Sequence, residues 1–280
     1  MKLVTCRTAV LFFGLSLLLG CTQRMNTMKL VRVDLGRNIV ETARSSGISS
    51  YGVDDVNGSI QFSAVDLPDD LYVRFSRPGL EIQARSVFSV ALVTDRKRMA
   101  NEEVFLARIK MAASKLNSHS AARLHLNEIL IQFAKGKWKR HIPEHCPAVT
   151  GRSTMLGLSG EFHSSTCPID PSYRFSDTEY LALFKQTQEY QWMGDGVLAT
   201  LAVDYSETGG ILMYNFLLKF EDHRIMKKIE EEVAAWKRRE GDAKGWNSTQ
   251  QYEIGLVETA ERNKILEQNA IARGDSVVPR

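Results

Sequence analysis

VLATLAVDY (197–205) and ILMYNFLLKF (211–220) flank SETGG (206–210), and this stretch decides the fold. Both runs are rich in aliphatic and aromatic residues, and a glycine pair sits between them. Two such runs around a short glycine-bearing turn read as an antiparallel β-hairpin. The next segment, Glu221 to Glu240, changes period. Ile225, Ile229, Val233 and Trp236 recur at helical spacing with charges on the other side, which predicts an amphipathic helix. Its apolar stripe is expected to pack back on the hairpin. A weaker helix is expected near Glu253 to Ala272, within a polar tail, 241–280.

Upstream of the hairpin, Asp177 to Tyr190 reads as a helix. Pro143, Pro147, Pro168 and Pro171 punctuate the stretch before it, which also holds Cys146 and Cys167. Leu124 to Phe133 has strand alternation at Ile129, Ile131 and Phe133. Ala100 to Leu116 reads as a helix, with Asn101 as cap, Glu102 and Glu103 in the first turn, and Phe105, Ile109, Ala112 and Leu116 on one face. Leu80 to Val93, Leu71 to Phe75 and Ser59 to Val65 read as strands, and Arg44 to Gly58 as a loop. Together these predict an α+β protein, antiparallel sheets with helices packed on one face. The proline-rich stretch divides it into two similar-sized halves, an N-terminal one at 29–143 and a C-terminal one at 144–240 that carries a disulfide loop.

The chain opens MKLVTCRTAVLFFGLSLLLGCT. Lys2 and Arg7 give a positive start, and an apolar run of about a dozen residues follows. A membrane span needs roughly 20 apolar residues, so the run fits a secretory signal over 1–20. Its end, Leu18-Leu19-Gly20-Cys21, resembles the lipobox of bacterial lipoproteins. The resemblance implies cleavage before Cys21, acylation of its thiol, and a lipidated tether over 21–28. Thr22, rather than Asp, follows the cysteine, which within that family implies the outer membrane, facing the periplasm.

Removing residues 1–20 leaves 260 residues, and taking Lys2 and Arg7 from the 36 basic residues leaves 34 against 33 acids. Such a balance gives no field that steers the protein toward nucleic acid. Cys6 leaves with the signal and Cys21 carries lipid. Cys146 and Cys167 remain and are expected to pair in an oxidising compartment. Chain-entropy arguments assign such a loop roughly 3 kcal/mol.

His141, His145, Cys146, His163 and Cys167 are zinc-type ligands, but their spacing matches no familiar finger and the disulfide competes for both thiols. No metal and no cofactor are expected. Gly157-Leu158-Ser159-Gly160 lacks a spacer of the nucleophile elbow, and Ser159 reads as a loop residue. Asp54-Asp55, Asp69-Asp70 and Glu221-Asp222 are adjacent acids that would point to opposite faces of a strand. No H-E-x-x-H, P-loop or G-x-G-x-x-G motif occurs. The one local charge concentration is Lys135, Lys137, Lys139 and Arg140 around Trp138. It suits contact with an acidic partner or anionic headgroups, or it is simply a solvated strand end.

With no assembled catalytic set, a non-catalytic membrane-tethered binding protein is the expected class. In organisation the chain resembles periplasmic immunity lipoproteins that neutralise type VI secretion effectors. That resemblance implies one protein partner, a secreted effector such as a phospholipase, blocked by occlusion of its active site. A structural or assembly lipoprotein of an envelope or secretion complex, and a lipid-anchored hydrolase, stand as the alternatives.

Overall fold

The computed structural model describes residues 29–68, 71–111, 117–162 and 167–279. The expected signal and tether, with Cys21, lie outside them, as do Asp69-Asp70, Ala112, Leu116 and His163. The fold is α+β. The hairpin forms as read, with β10 (Val197–Thr208) and β11 (Ile211–Asp222) paired along their whole length. Only two residues make the turn, because Thr208 already faces Ile211. Gly209 and Gly210 both have positive φ, 59° and 77°, which a two-residue turn of this twist requires at both positions and which side chains resist.

The hairpin sits inside an antiparallel sheet of eight strands. Its other members are β2 (Gly52–Val56), β3 (Ser59–Ala64), β6 (Val87–Asp95), β7 (Leu106–Met111), β8 (Lys139–Arg140) and β9 (Gln188–Gly194). The order is β2-β3-β6-β7-β11-β10-β9-β8. A smaller sheet holds β1 (Lys29–Val33), parallel to β4 (Leu71–Phe75), and β5 (Ile82–Ala84) antiparallel to β4. Register places Trp192, Ala199, Phe220, Ala107 and Leu92 in one cross-strand row, and Tyr190, Leu201, Leu218, Ile109 and Val90 in the next. All are buried. They face the core, which is closed by the small sheet, α1 (Ile39–Ser45), α2 (His119–Lys135) and α3 (Asp177–Leu183). Phe75 of β4 stacks on Phe220 at 4.0 Å, and Phe133 of α2 stacks on Trp192 at 3.7 Å.

Two segments exchange their expected structures. Residues 106–111 are strand, not helix, because Ala107, Ile109 and Met111 alternate into the core and both edges pair, with β6 and β11. The expected helix start is instead a turn that runs beside 36–39: Ile39 N donates to Glu102 O and Val104 N to Arg37 O. Residues 124–133 are helix, not strand. Ser118 accepts from Ala121 N as N-cap, and the buried positions are Ala122, His125, Leu126, Ile129, Leu130 and Phe133, a helical stripe. Leu124 and Ile131 are exposed. The helix expected over 177–190 ends at Leu183 and β9 begins at Gln188. The expected loop over 44–58 contains β2. The proline-rich stretch does not separate two sheets, because β7 from 29–143 pairs with β11 from 144–240.

Candidate interaction surface on a helical hairpin

The helix read over Glu221 to Glu240 forms as α4 (His223–Ala243), with Glu221 and Asp222 still in β11, and α5 (Ser248–Ala272) follows it. At about 1.5 Å per residue, helices of 21 and 25 residues are roughly 31 and 37 Å long. Asp222 caps α4 by accepting from Ile225 N at 3.0 Å. The turn between the helices is held by Asp242, whose carboxylate accepts from Thr249 N at 3.0 Å and from the Thr249 hydroxyl at 2.5 Å. Gly241 lets the helices close, because a Cβ there would overlap Ser248 Oγ.

The hairpin is seated at its two far ends. Near the start of α4, Ile225, Met226 and Ile229 pack on Val93, Met99, Phe105 and Leu106, and Arg98 bridges to Glu232 at 2.9 Å. Near the end of α5, Asn263 and Ala270 are buried, and Glu267 accepts from Ala148 N at 2.9 Å. The following residues run back along 148–150, with Val278 N donating to Ala148 O and Ser276 N to Thr150 Oγ1. Cys146 and Cys167 are bonded, with Cα atoms 5.6 Å apart, and brace this seat.

Between those ends the apolar stripe continues at Val233 and Trp236, exposed among the described residues. Val233 and Trp236 do not pack on the β-hairpin as expected. Trp236 is 55% exposed and Trp246 66% exposed, whereas Trp138 and Trp192 are buried. Tyr252, Leu256 and Val257 on α5 are exposed too. The Arg238 guanidinium lies over the Tyr252 ring at 4.3 Å, and the Lys244 ammonium over Trp246 at 5.0 Å. Leaving a valine or leucine side chain in water forgoes roughly 1.5–3 kcal/mol that burial would supply. Clustered exposed apolar residues of this kind mark interaction sites, and tryptophan, tyrosine and arginine are the residue types that dominate binding energy at protein interfaces.

The other sequence-derived positions fare differently. Lys135, Lys137 and Lys139 are exposed, but Trp138 is 8% exposed and packs on Phe75, Phe133 and Phe220. It is a core residue, so it offers nothing to a partner or headgroups. Arg140 is half-buried, and burial pulls its guanidinium below its ordinary pKa, with Asp170 partly restoring it. His145 lies within 4.8 Å of both cysteine sulfurs, which are spent in the disulfide. The Ser159 hydroxyl is hydrogen-bonded to Glu161. Asp55 pairs with Arg96 at 3.1 Å on an outer strand. No helix among the described residues is long and apolar enough to cross a membrane. Compared with protein-family models, with curated proteins and with solved structures, the chain finds no match.

Proposed function

We propose that the protein is a membrane-anchored, non-catalytic periplasmic binding protein: an immunity protein that captures one secreted effector on the α4–α5 hairpin and occludes its active site. The observation that carries this reading is the exposure of Val233, Trp236, Trp246, Tyr252 and Leu256 on a helical hairpin that, among the described residues, packs on the body near the start of α4 and the end of α5. The lipobox at Leu18–Cys21 supports the location. Tethering at the outer membrane would concentrate the inhibitor where a phospholipase effector works.

The test compares the full chain with a Trp236→Ala/Trp246→Ala chain as bait in lysate of its own species. The reading expects one stoichiometric partner whose enzymatic activity the full chain inhibits one to one. The double variant should bind it at least about a hundredfold more weakly, each truncated hot-spot residue costing about 2 kcal/mol or more. Recovery of several envelope components, without inhibition of any, would favour the assembly role instead. A hydrolytic activity of the chain itself would overturn the proposal.

The anchor has its own test. Labelled palmitate is expected to enter the wild-type chain and to be absent from Cys21→Ser, which should accumulate uncleaved or soluble. Retained label in that variant would refute the lipobox assignment.

A further inference from the structure

The second face of the large sheet carries polar side chains. Register aligns Gln191, Thr200, Lys219 and Arg108 across four strands, and places Glu221 one row on, opposite Leu198. The first turns of α4 and the 141–145 loop rise over part of this face and leave a cavity of about 460 Å³ between them. Three of the six histidines of the chain line it: His141, His145 and His223. Its walls also hold Glu144, Glu221, Glu230 and Glu231 against Lys219 and Lys227, an acidic excess.

Two of those histidines are brought together by the fold. His141 N donates to Gln191 O at 2.9 Å, which continues the short β8–β9 ladder, and His223 N donates to Gly196 O at 3.0 Å at the end of the hairpin. Their rings stand 5.6 Å apart between centroids at 65°. We propose that His141 and His223 bind a divalent transition-metal cation of the zinc class in this cavity.

The geometry suits it. Two imidazoles that share an ion at about 2.0–2.1 Å per nitrogen have centroids roughly 5–6 Å apart. Imidazole is the ligand type that zinc, copper and nickel share, and hard ions such as magnesium do not favour it. Gln191, whose backbone carbonyl fixes His141, also lines the cavity, and its side-chain Oε1 is buried without a hydrogen-bond partner. The N-terminal dipole of α4 opposes a cation at His223, and the four glutamates offset it. The string His141-Ile142-Pro143-Glu144-His145 has the letters of H-x-x-E-H, but it is a loop through Pro143, so it does not set its histidines on one helix face as zinc peptidases do. The site binds; it is not built as a peptidase. An ion there would tie the 141–145 loop, adjoining the disulfide, to the start of α4, and so brace the seat of the helical hairpin.

The full chain, freed of metal by chelator and dialysis, is titrated with zinc chloride against a chromophoric zinc indicator. One equivalent per chain is expected, unaffected by millimolar magnesium. His141→Ala and His223→Ala should each weaken zinc by about tenfold or more, and His119→Ala, outside the cavity, should leave it unchanged. Should a variant fail to fold, acylation of histidines by diethyl pyrocarbonate reads the same contact in the wild-type chain, with zinc expected to protect His141 and His223 together. Zinc binding that survives in the His141→Ala/His223→Ala double variant overturns the proposal, as do histidines equally reactive with and without zinc or no binding by the wild-type chain.

Discussion

Phe133→Ala is expected to lower the free energy of unfolding by about 3–5 kcal/mol, the range for deleting a buried aromatic ring. Phe133 sits in the last turn of α2 and is 1% exposed. Its ring lies flat on Trp192 of β9, 3.7 Å away and tilted by 5°, and meets Trp138 edge-on at 5.3 Å. Trp138 in turn touches Phe75 of the small sheet and Phe220 of the hairpin. The ring therefore joins the helix, the large sheet and the small sheet at one point. Its neighbours are the bulky, packed rings of Trp192, fixed on β9, and Trp138, so the site cannot readily collapse onto the space left by alanine, and the cost falls toward the upper end. Phe133→Leu, which keeps most of the volume, should cost less than half as much. Leu124→Ala on the exposed side of the same helix should stay within about 0.5 kcal/mol. Urea titrations with unchanged slopes would measure all three. A loss below 1 kcal/mol for the alanine variant would mean that the aromatic junction does not carry the packing argued for it.

The same junction shows why some of the fold can be read from the chain and some cannot. The β10–β11 hairpin is legible because twelve-residue strands and two adjacent glycines agree with each other at every level. Residues 106–111 and 124–133 are not, because each carries apolar residues at both two-residue and four-residue spacing. Ile109 can pair with Phe105 along a helix or with Ala107 and Met111 along a strand. The decision is made by neighbours distant in sequence: β11 and β6 claim 106–111 from both sides, and the wall of Phe216 and Trp192 rewards a helical stripe at 125–133. Trp138 reads as a surface residue because lysines surround it, yet just before β8 its ring packs inward on Phe75, Phe133 and Phe220 while Lys137 and Lys139 stay in water. The candidate interaction surface was hidden for the converse reason. The stripe Ile225, Ile229, Val233, Trp236 has one uniform pattern, and nothing in it marks where the sheet stops covering α4. The His141–His223 pair is set by backbone bonds from outside the local pattern, His141 N to Gln191 O and His223 N to Gly196 O.

Acidification below neutrality is expected to remove about 3 kcal/mol of stability through one side chain, His125. It is 5% exposed, on the inner face of α2. Its ring stands edge-on to Phe216 with centroids 5.0 Å apart, and its Nε2 lies 3.4 Å from Met111 Sδ. Burial disfavours the imidazolium and pushes the pKa down to about 4. Glu128 works against this, but its carboxylate is 4.0 Å from Nδ1, too long for a hydrogen bond, and is shared with Arg85, which lowers the pKa further. In the unfolded chain the same group titrates near 6.5. Between those two values the unfolded state holds a proton that the folded state refuses, so stability rises with pH through this window and is flat above it. At about 1.4 kcal/mol per pH unit, descent from pH 7 to pH 4 costs about 3 kcal/mol. Asp170 does not blur the window. Burial alone would raise its carboxyl, but the N–H groups of Gly151 and Ser172, the Ser172 hydroxyl and Arg140 outweigh that and hold it below its usual range. The stability it supplies is therefore lost only at lower pH, from about 4 downward. His125→Leu tests the assignment. Its unfolding free energy, from urea titrations at pH 7, 6, 5 and 4.5, should fall less steeply than the wild-type value, because burial also holds His141 low while it raises Glu221, whose effect on the slope has the opposite sign. Parallel decline of the two proteins would show that His125 accepts its proton in the folded state without cost, and the packing of α2 on Phe216 would then have to be looser than these contacts require.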